Sequence, residues 1–370
     1  MIVNNTTDIG TDLADGNAAS STVVDVVLKV IFGVIGSLGI IGNFLVCFII
    51  IHVRSLLNSN TNLLILNQSA IDMVSAIAFV VLYLGPTIKL PLNVLGDFIC
   101  RIWASEYVLW AMFVASTFNL VALTLDRFFA IVHPIKHHNG FSKVKIKAMI
   151  CCIWVSAFVY ETYWAVAHFN DNGKCSIYWY HVAFQRFSGV MVFLVQYLIP
   201  LSIMSFAYIS IFLALKRRPG AMSSEEGSAN NARNVLSVGQ VDVARSNSEE
   251  SKNVRARKNV IKTLFIVSLS YAICWTPNAF VFLNYNLGGY LDFKSPLYYI
   301  TVVSVNCNMC VNPFIYAMKY QQFRRALRKT FCGRHFENKV NEGTASGSVN
   351  SRAAQNTANT SVDASTQDVI

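Results

Sequence analysis

The stretch from Ile99 to Pro134, ICRIWASEYVLWAMFVASTFNLVALTLDRFFAIVHP, decides the fold. Mostly apolar residues fill the interval between Cys100 and the Leu125-Asp126-Arg127-Phe128 segment. This run can cross a bilayer, because about 20 apolar residues rising 1.5 Å each span a hydrocarbon core of about 30 Å. Adjacent charges at membrane depth are costly, so Asp126 and Arg127 are candidates for a functional role.

Composition indicates that the whole protein is built from such stretches. The chain of 370 residues is 54% hydrophobic and only 14% charged, which is too apolar for a soluble protein of this length. The sequence therefore predicts an all-α membrane protein, a bundle of seven spanning helices. The spans are expected at about 26–51, 62–86, 101–132, 147–168, 187–215, 259–285 and 296–318.

Basic residues set the predicted orientation. The net charge of +10 could indicate nucleic-acid binding, but the lysines and arginines cluster in short loops on one side of the spans. Such a bias marks the cytoplasmic side, so no nucleic-acid partner is expected and the amino terminus lies outside. We expect a multi-pass plasma-membrane protein with an extracellular segment 1–25, glycosylated at the Asn4 and Asn5 sequons. A seven-helix membrane domain of 26–332 follows, with a flexible intracellular loop at about 216–258, and then a disordered cytoplasmic tail of 333–370.

Cysteine positions agree with this orientation. Six of the nine cysteines fall within spans, and Cys332 lies on the cytoplasmic side. Only Cys100 and Cys175 lie on the oxidising outer side, where two cysteines permit one disulfide. That bond would join the outer end of the third span to the loop before the fifth and would fix the roof of an outward-facing pocket.

Polar residues inside the spans allow two interpretations. Asparagines such as Asn308 often serve as hydrogen-bonding contacts between helices, worth about 0.6–2 kcal/mol each. Asp72 differs, because an ionised carboxylate there needs a cation, a proton or several donors. Carboxylate, hydroxyl and amide oxygens suit a small hard cation, so Asp72, Ser116 and Asn308 are a candidate sodium site. No other metal or cofactor is expected, and the His133, His137 and His138 cluster is predicted to be a solvated basic face.

Three prolines complete a specific pattern. Pro200, Pro277 and Pro313 lie within the last three spans, where each removes a backbone hydrogen bond and bends its helix. With Asp126-Arg127-Phe128, Cys274-Trp275-Thr276-Pro277 and Asn312-Pro313-Phe314-Ile315-Tyr316, the chain over about 26–332 resembles the rhodopsin-like (class A) G-protein-coupled receptors. Other carriers of the resemblance are Gly42-Asn43, Leu66 through Asp72, Cys100 with Cys175, Trp154, and Pro200 with Tyr208.

The resemblance implies a mechanism and partners. Asp126 would hold Arg127 at rest, and agonist contacts near Trp275 would move the sixth helix about Pro277. Arg127 would then meet Tyr208, Tyr316 and a heterotrimeric G protein, the ligand acting by preferring one of two states. A short amphipathic eighth helix at Phe323–Leu327, palmitoylation of Cys332 beside membrane lipid, and arrestin binding after tail phosphorylation are also implied.

Departures from the family pattern carry their own expectations. Phe128 stands where many relatives have Tyr, which leaves the charged pair intact. Arg257 and Lys258 stand where some relatives place an acidic partner for Arg127, so measurable basal signalling is predicted. The spacing from Cys100 to Arg127 is about two residues longer than usual in the family, which leaves the register of the outer turns of the third helix open.

The ligand pocket is the least specified part of the sequence. Leu109 stands at the position of the amine-receptor aspartate, and Asn306 stands at that of the opsin lysine, so neither class is indicated. The carboxylate of Glu106 could bind a cationic ligand or simply face water. The residue balance favours a peptide, with an amphipathic small molecule as the alternative and a transporter or channel as a remote one; no enzyme motif occurs. Pocket candidates are Glu106, Tyr107, Leu109, Trp110, Phe280 and Tyr299.

Overall fold

In a computed structural model, the residues described are 15–86, 88–216, 239–292 and 295–331, with side chains from 24 onward except at 138, 139 and 239–258. The glycosylation sites Asn4 and Asn5, the palmitoylation site Cys332 and the tail lie outside these residues. The helices are Asp15–His52, Asn60–Leu84, Val94–Ile99, Tyr107–Val132, Pro134–Gly140, Lys143–Ala167, Val182–Val192, Ile199–Lys216, Gly239–Asn286 and Pro296–Lys319.

Seven helical segments of the described chain are long and apolar enough to cross a membrane, as predicted. They are Val24–His52, Asn60–Leu84, Val94–Val132, Lys143–Ala167, Val182–Lys216, Asn259–Asn286 and Pro296–Lys319, here called the first to seventh spans. The sixth helix begins at Gly239, within the stretch predicted as a flexible loop. Extending a helix is easier than starting one, because each added residue gains a hydrogen bond and no new nucleation cost arises. The helix can therefore extend into this polar stretch without burying an apolar face there.

Small residues bring the first span close to its neighbours. A Cβ atom at Gly39 would lie 2.8 Å from the Cβ of Ala76, and one at Gly42 would lie 3.0 Å from the ring of Pro313. The first distance is one that real Cβ atoms essentially never show, and the second is shorter than nearly all Cβ contacts. The glycines therefore let the first span pack directly against the second and seventh, as small residues do between membrane helices.

Two prolines leave a backbone carbonyl without its usual helical hydrogen bond, and in both cases a side chain on another helix donates to that carbonyl. Proline cannot donate to the carbonyl four residues earlier. The carbonyl of Gln196, four residues before Pro200, accepts a hydrogen bond from the Tyr271 hydroxyl. The carbonyl of Met309, four residues before Pro313, accepts from Asn43 Nδ2 at 2.8 Å. Each bend is thereby joined to a neighbouring span.

A β-hairpin with a disulfide lies between the fourth and fifth spans. Strand β1, His168–Asp171, pairs antiparallel with β2, Lys174–Ile177. The turn residues Asn172 and Gly173 both have positive φ, 50° and 89°, as the favoured Asn-Gly hairpin turn requires. Cys175 is bonded to Cys100, as predicted. The end of the bundle that carries this bond is called the disulfide end below, and the opposite end the Arg127 end.

The chain divides into two compact units, Met1–Gln321 and Gln322–Ile370. The first contains the seven spans and the hairpin. In the second, the described residues continue a helix that runs over 321–331. Phe323, Ala326 and Leu327 recur on one face of this helix, and four basic residues lie elsewhere on it. The expected amphipathic eighth helix is therefore present in the chain.

Candidate functional site

A cavity of about 270 Å³ lies at the disulfide end between the second, third, sixth and seventh spans. Its polar lining includes Tyr83, Glu106, His168 and Tyr298, and its apolar lining includes Leu109, Trp110 and Phe282. Mixed linings of this kind are typical of pockets that bind organic ligands. The candidates Glu106, Leu109 and Trp110 are thus brought together in one cavity.

Glu106 owes its position to a break in the third span. Residues Cys100–Ala104 form a π-helical segment, and Glu106 itself has the left-handed backbone, with φ 63° and ψ 18°. This interruption lies in the outer turns of the third span, between Cys100 and Arg127, where the spacing left the register open. Tyr83 donates its hydroxyl hydrogen to Glu106 Oε1 at 2.7 Å, and the Glu106 side chain is only partly buried. A left-handed non-glycine residue costs energy and is often found at functional sites.

Three other pocket candidates lie elsewhere. The Tyr107 hydroxyl donates to the Phe158 carbonyl at 2.9 Å, and Phe280 is 53% exposed with its ring against Phe193. Tyr299 lines a separate cavity of about 210 Å³ beside the first span. The helix begins at Tyr107, directly after the left-handed Glu106, and this turn directs Tyr107 toward Phe158 while Leu109 and Trp110 line the cavity.

A second carboxylate, missed in the sequence, lies deeper at the same end. Glu161 in the fourth span is 1% exposed and accepts a hydrogen bond from Gln196 Nε2 at 2.6 Å. It lines a cavity of about 40 Å³ that also touches Trp275. The available signal was an acidic residue within an apolar span, which by default deserves a functional hypothesis.

His168 closes one side of the large cavity. Burial lowers the pKa of His168, and the nearby Arg101 lowers it further, although a 2.8 Å hydrogen bond to the Trp164 carbonyl opposes this. The imidazole is therefore neutral at pH 7. Because the folded-state pKa lies below the unfolded value of about 6.5, this group contributes stability that is complete at higher pH and lost as pH falls.

We expect the unfolding temperature of the purified receptor to fall between pH 7 and pH 5, and to fall less in His168→Asn. The asparagine amide can still donate to the Trp164 carbonyl but cannot bind a proton in this range. Differential scanning fluorimetry of both proteins at several pH values measures the difference. Equal pH dependence in the two proteins would contradict a role for His168.

At the Arg127 end, Asp126 is completely buried among donors from three elements. Arg127 donates to Asp126 Oδ2 through Nη2 at 2.6 Å and Nε at 3.0 Å, and Thr61 Oγ1 donates to the same oxygen at 2.9 Å. His137 Nε2 donates to Oδ1 at 2.9 Å, and its ring stacks on Phe141. His137 is therefore a structural partner of Asp126 rather than part of a solvated face.

Outside the third span, the residues predicted to act in activation lie in the fifth, sixth and seventh spans. Trp275 contacts Phe113 edge-to-face, with ring centroids 5.8 Å apart. Pro277 lies within the sixth helix, one turn after Cys274, whose carbonyl accepts a hydrogen bond from the Ser304 hydroxyl. The hydroxyl of Tyr208 accepts from Ser268 at 3.4 Å. Within the described residues, the Trp275 Nε1 and the buried Tyr316 hydroxyl have no hydrogen-bond partner. A movement of the helices would therefore break no existing hydrogen bond of these two groups.

Of the sodium-site candidates, Asp72 and Ser116 are in contact with each other. Ser116 Oγ donates to Asp72 Oδ1 at 3.2 Å, and Asn312 Nδ2 donates to Oδ2 at 2.8 Å. No hydrogen bond between Asn308 and Asp72 occurs among the described side chains, and Asn308 Oδ1 has no partner there. Gln68, which the sequence reasoning did not consider, contacts both oxygens of Asp72.

The described part of the sixth span offers Arg127 no acidic partner before Trp275. No carboxylate occurs in the described stretch Asn259–Trp275, and among the described residues Arg127 forms its ion pair with Asp126. We expect basal G-protein activation above the background of mock-transfected cells. A nucleotide-exchange assay at matched surface expression measures it, with Arg127→Ala as the control at background. Signalling at background in the unmodified receptor would contradict this expectation.

A membrane-spanning bundle with a ligand-sized cavity at one end and a buried Asp–Arg pair at the other has the architecture of a transmembrane receptor. The model of the family "7 transmembrane receptor (rhodopsin family)" matches residues 42–316. The chain therefore belongs to this family and is a G-protein-coupled receptor, a multi-pass membrane protein with an extracellular ligand.

Individual relatives are similar along most of their length. An allatostatin-A receptor of Bombyx mori is 28% identical over 330 residues, covering 86% of this chain and 83% of that receptor. A galanin receptor 2b of Danio rerio is 27% identical over 334 residues, covering 88% and 80%. A trace amine-associated receptor 1 of Macaca mulatta is 27% identical over 323 residues, covering 80% and 85%.

Proposed function

We propose that this protein is a plasma-membrane receptor for a secreted peptide with a basic group, and that it activates a heterotrimeric G protein. The observation that carries the proposal is the 270 Å³ cavity under the disulfide-bonded hairpin, with the partly buried carboxylate of Glu106 in its wall. The names of the allatostatin-A and galanin receptors support a peptide ligand.

The cavity is suited to the end of a peptide. A volume of 270 Å³ is at the lower limit of small-molecule pockets, which matches one or two side chains better than a large rigid ligand. Aromatic rings of Trp110 and Phe282 provide apolar contact, and Glu106 provides a carboxylate for a lysine, an arginine or an amino terminus. The rest of the peptide would lie against the hairpin.

Orientation and partners complete the proposal. The amino terminus and the disulfide end are extracellular, since the basic side chains concentrate at the Arg127 end. Arrestin would bind the phosphorylated tail, Cys332 would carry a palmitoyl chain in the inner leaflet, and the receptor itself would have no enzymatic activity.

A small amphipathic amine is the second candidate. It is favoured by the same Glu106 carboxylate and by the similarity to the trace amine-associated receptor 1. The size of the cavity is compatible with a monoamine, so the two candidates differ in the ligand and share the carboxylate.

The test uses cells that express the full chain and a G-protein activation readout. Tissue extract is applied before and after protease digestion, and Arg127→Ala is the control. The expected result is a response that digestion abolishes and that the control lacks. A response that survives digestion would overturn the peptide proposal in favour of the amine.

A further inference from the structure

The side-chain amide of Gln68 lies where a cation would bind Asp72. Its Nε2 is 3.1 Å from Asp72 Oδ1, 3.2 Å from Oδ2 and 2.5 Å from Ser116 Oγ. With Asn312, these side chains are at most 1% exposed. A buried carboxylate must be compensated by hydrogen bonds or a counter-ion. Gln68, Ser116 and Asn312 provide that compensation with neutral groups.

The oxygen atoms for a cation are present, but the space between them is filled. Asn308 Oδ1 and Asn312 Oδ1 are buried and accept no hydrogen bond within the described chain. A hard cation held at about 2.3–2.6 Å by both Asp72 oxygens would overlap the Gln68 nitrogen. The amide hydrogens also present their positive end to any cation there. The residues as arranged do not fit sodium.

A directional chain of hydrogen bonds fixes the orientation of the amide. Trp154 Nε1, which can only donate, donates to Asn67 Oδ1 at 3.0 Å, and Asn67 Nδ2 donates to Asn119 Oδ1 at 2.9 Å. Asn119 Nδ2 then donates to Gln68 Oε1 at 2.8 Å and to the Leu64 carbonyl at 3.0 Å. Because the indole is only a donor and the carbonyl only an acceptor, both ends impose the same orientation.

Rotating the Gln68 amide would therefore break several buried hydrogen bonds at once. Its oxygen would face the Asp72 carboxylate, and its nitrogen would face the Asn119 nitrogen. Each buried polar group left unpaired costs about 1–3 kcal/mol. The chain of amides thus keeps the Gln68 NH₂ group against Asp72.

We infer that the amide of Gln68 replaces a sodium ion at Asp72, so that this receptor does not respond to sodium through its buried polar centre. Removal of the amide opens a cation site formed by Asp72, Ser116 and the free asparagine oxygens. Gln68→Leu has similar volume and lacks both polar atoms, so it vacates the position with little change in packing.

The experiment measures sodium binding without any ligand. Full-length receptor and Gln68→Leu are purified, and sodium chloride replaces choline chloride at constant ionic strength. We expect no sodium-specific change in the unfolding temperature of the unmodified receptor. Gln68→Leu should gain about 3 °C when sodium is well above its dissociation constant, and should broaden the ²³Na NMR line. Gln68→Leu with Asp72→Asn is the matched control and should lose both effects.

Two results would overturn the inference. The first is sodium stabilisation of the unmodified receptor that Asp72→Asn abolishes, because the centre would then bind sodium with Gln68 present. The second is the absence of a sodium effect in Gln68→Leu, because the amide would then not be what excludes the cation. If Gln68→Leu does not fold, Gln68→Met takes its place, and the unmodified receptor alone still provides the first test.

Discussion

Arg127→Ala is expected to abolish ligand-driven G-protein activation while leaving ligand binding in place. The guanidinium donates two hydrogen bonds to Asp126 at 2.6 and 3.0 Å, and its side chain is 17% exposed at the Arg127 end. When the helices separate, these donors become available to a partner. Hydrogen bonds to charged groups contribute about 1.5–3 kcal/mol, or about 10- to 150-fold in an equilibrium, and a G protein has no substitute for them.

Matched variants separate the role of the side chain from its effect on folding. Arg127→Lys retains the charge but loses the planar fork, so it should retain only a small part of the response. Asp126→Asn leaves Arg127 without its ion pair and should raise basal signalling. Concentration–response curves at matched surface expression measure all three. A full response in Arg127→Ala would show that the pair only stabilises the fold.

The fold could be predicted from the sequence because its cause is local. A membrane span is recognised by its length and apolar composition, and neither of these depends on which residue faces which neighbour. The start of the third span was predicted incorrectly, since the span begins at Val94 rather than near 101. A short polar-containing helix, Val94–Ile99, and a π-helical segment precede the long apolar run, and average hydropathy does not detect them.

The site was only partly predictable because its contacts cross between helices. The charged pair Asp126–Arg127 is adjacent in sequence, and the disulfide follows from which cysteines share one side of the membrane. The direction of the Tyr107 side chain depends on the left-handed turn at Glu106, and the sequence pattern does not predict this turn. The roles of Gln68 and Glu161 were not predictable because they depend on partners in other spans, Ser116 and Gln196.

Glu106 and Glu161 form a natural pair for testing ligand recognition. Both are carboxylates at the disulfide end that accept a short hydrogen bond, Glu106 from Tyr83 and Glu161 from Gln196. Glu106 is partly exposed to the 270 Å³ cavity, whereas Glu161 is 1% exposed in a cavity of about 40 Å³. The larger cavity can admit a lysine or arginine side chain, and the smaller one has room for only a few water molecules.

Glu106→Gln is therefore expected to weaken activation by a basic peptide about 30-fold or more, because loss of one member of a buried charge pair costs about 2–5 kcal/mol. The glutamine oxygen can still accept from Tyr83, so the pocket should retain its shape. Glu161→Gln, the matched control, should leave potency unchanged, because its cavity of about 40 Å³ is too small to admit a basic side chain. Dilution curves of the active tissue fraction on both variants measure the difference. The opposite ranking would place the ligand's cation at Glu161, beside Trp275, and would assign Glu106 to holding the turn of the third span.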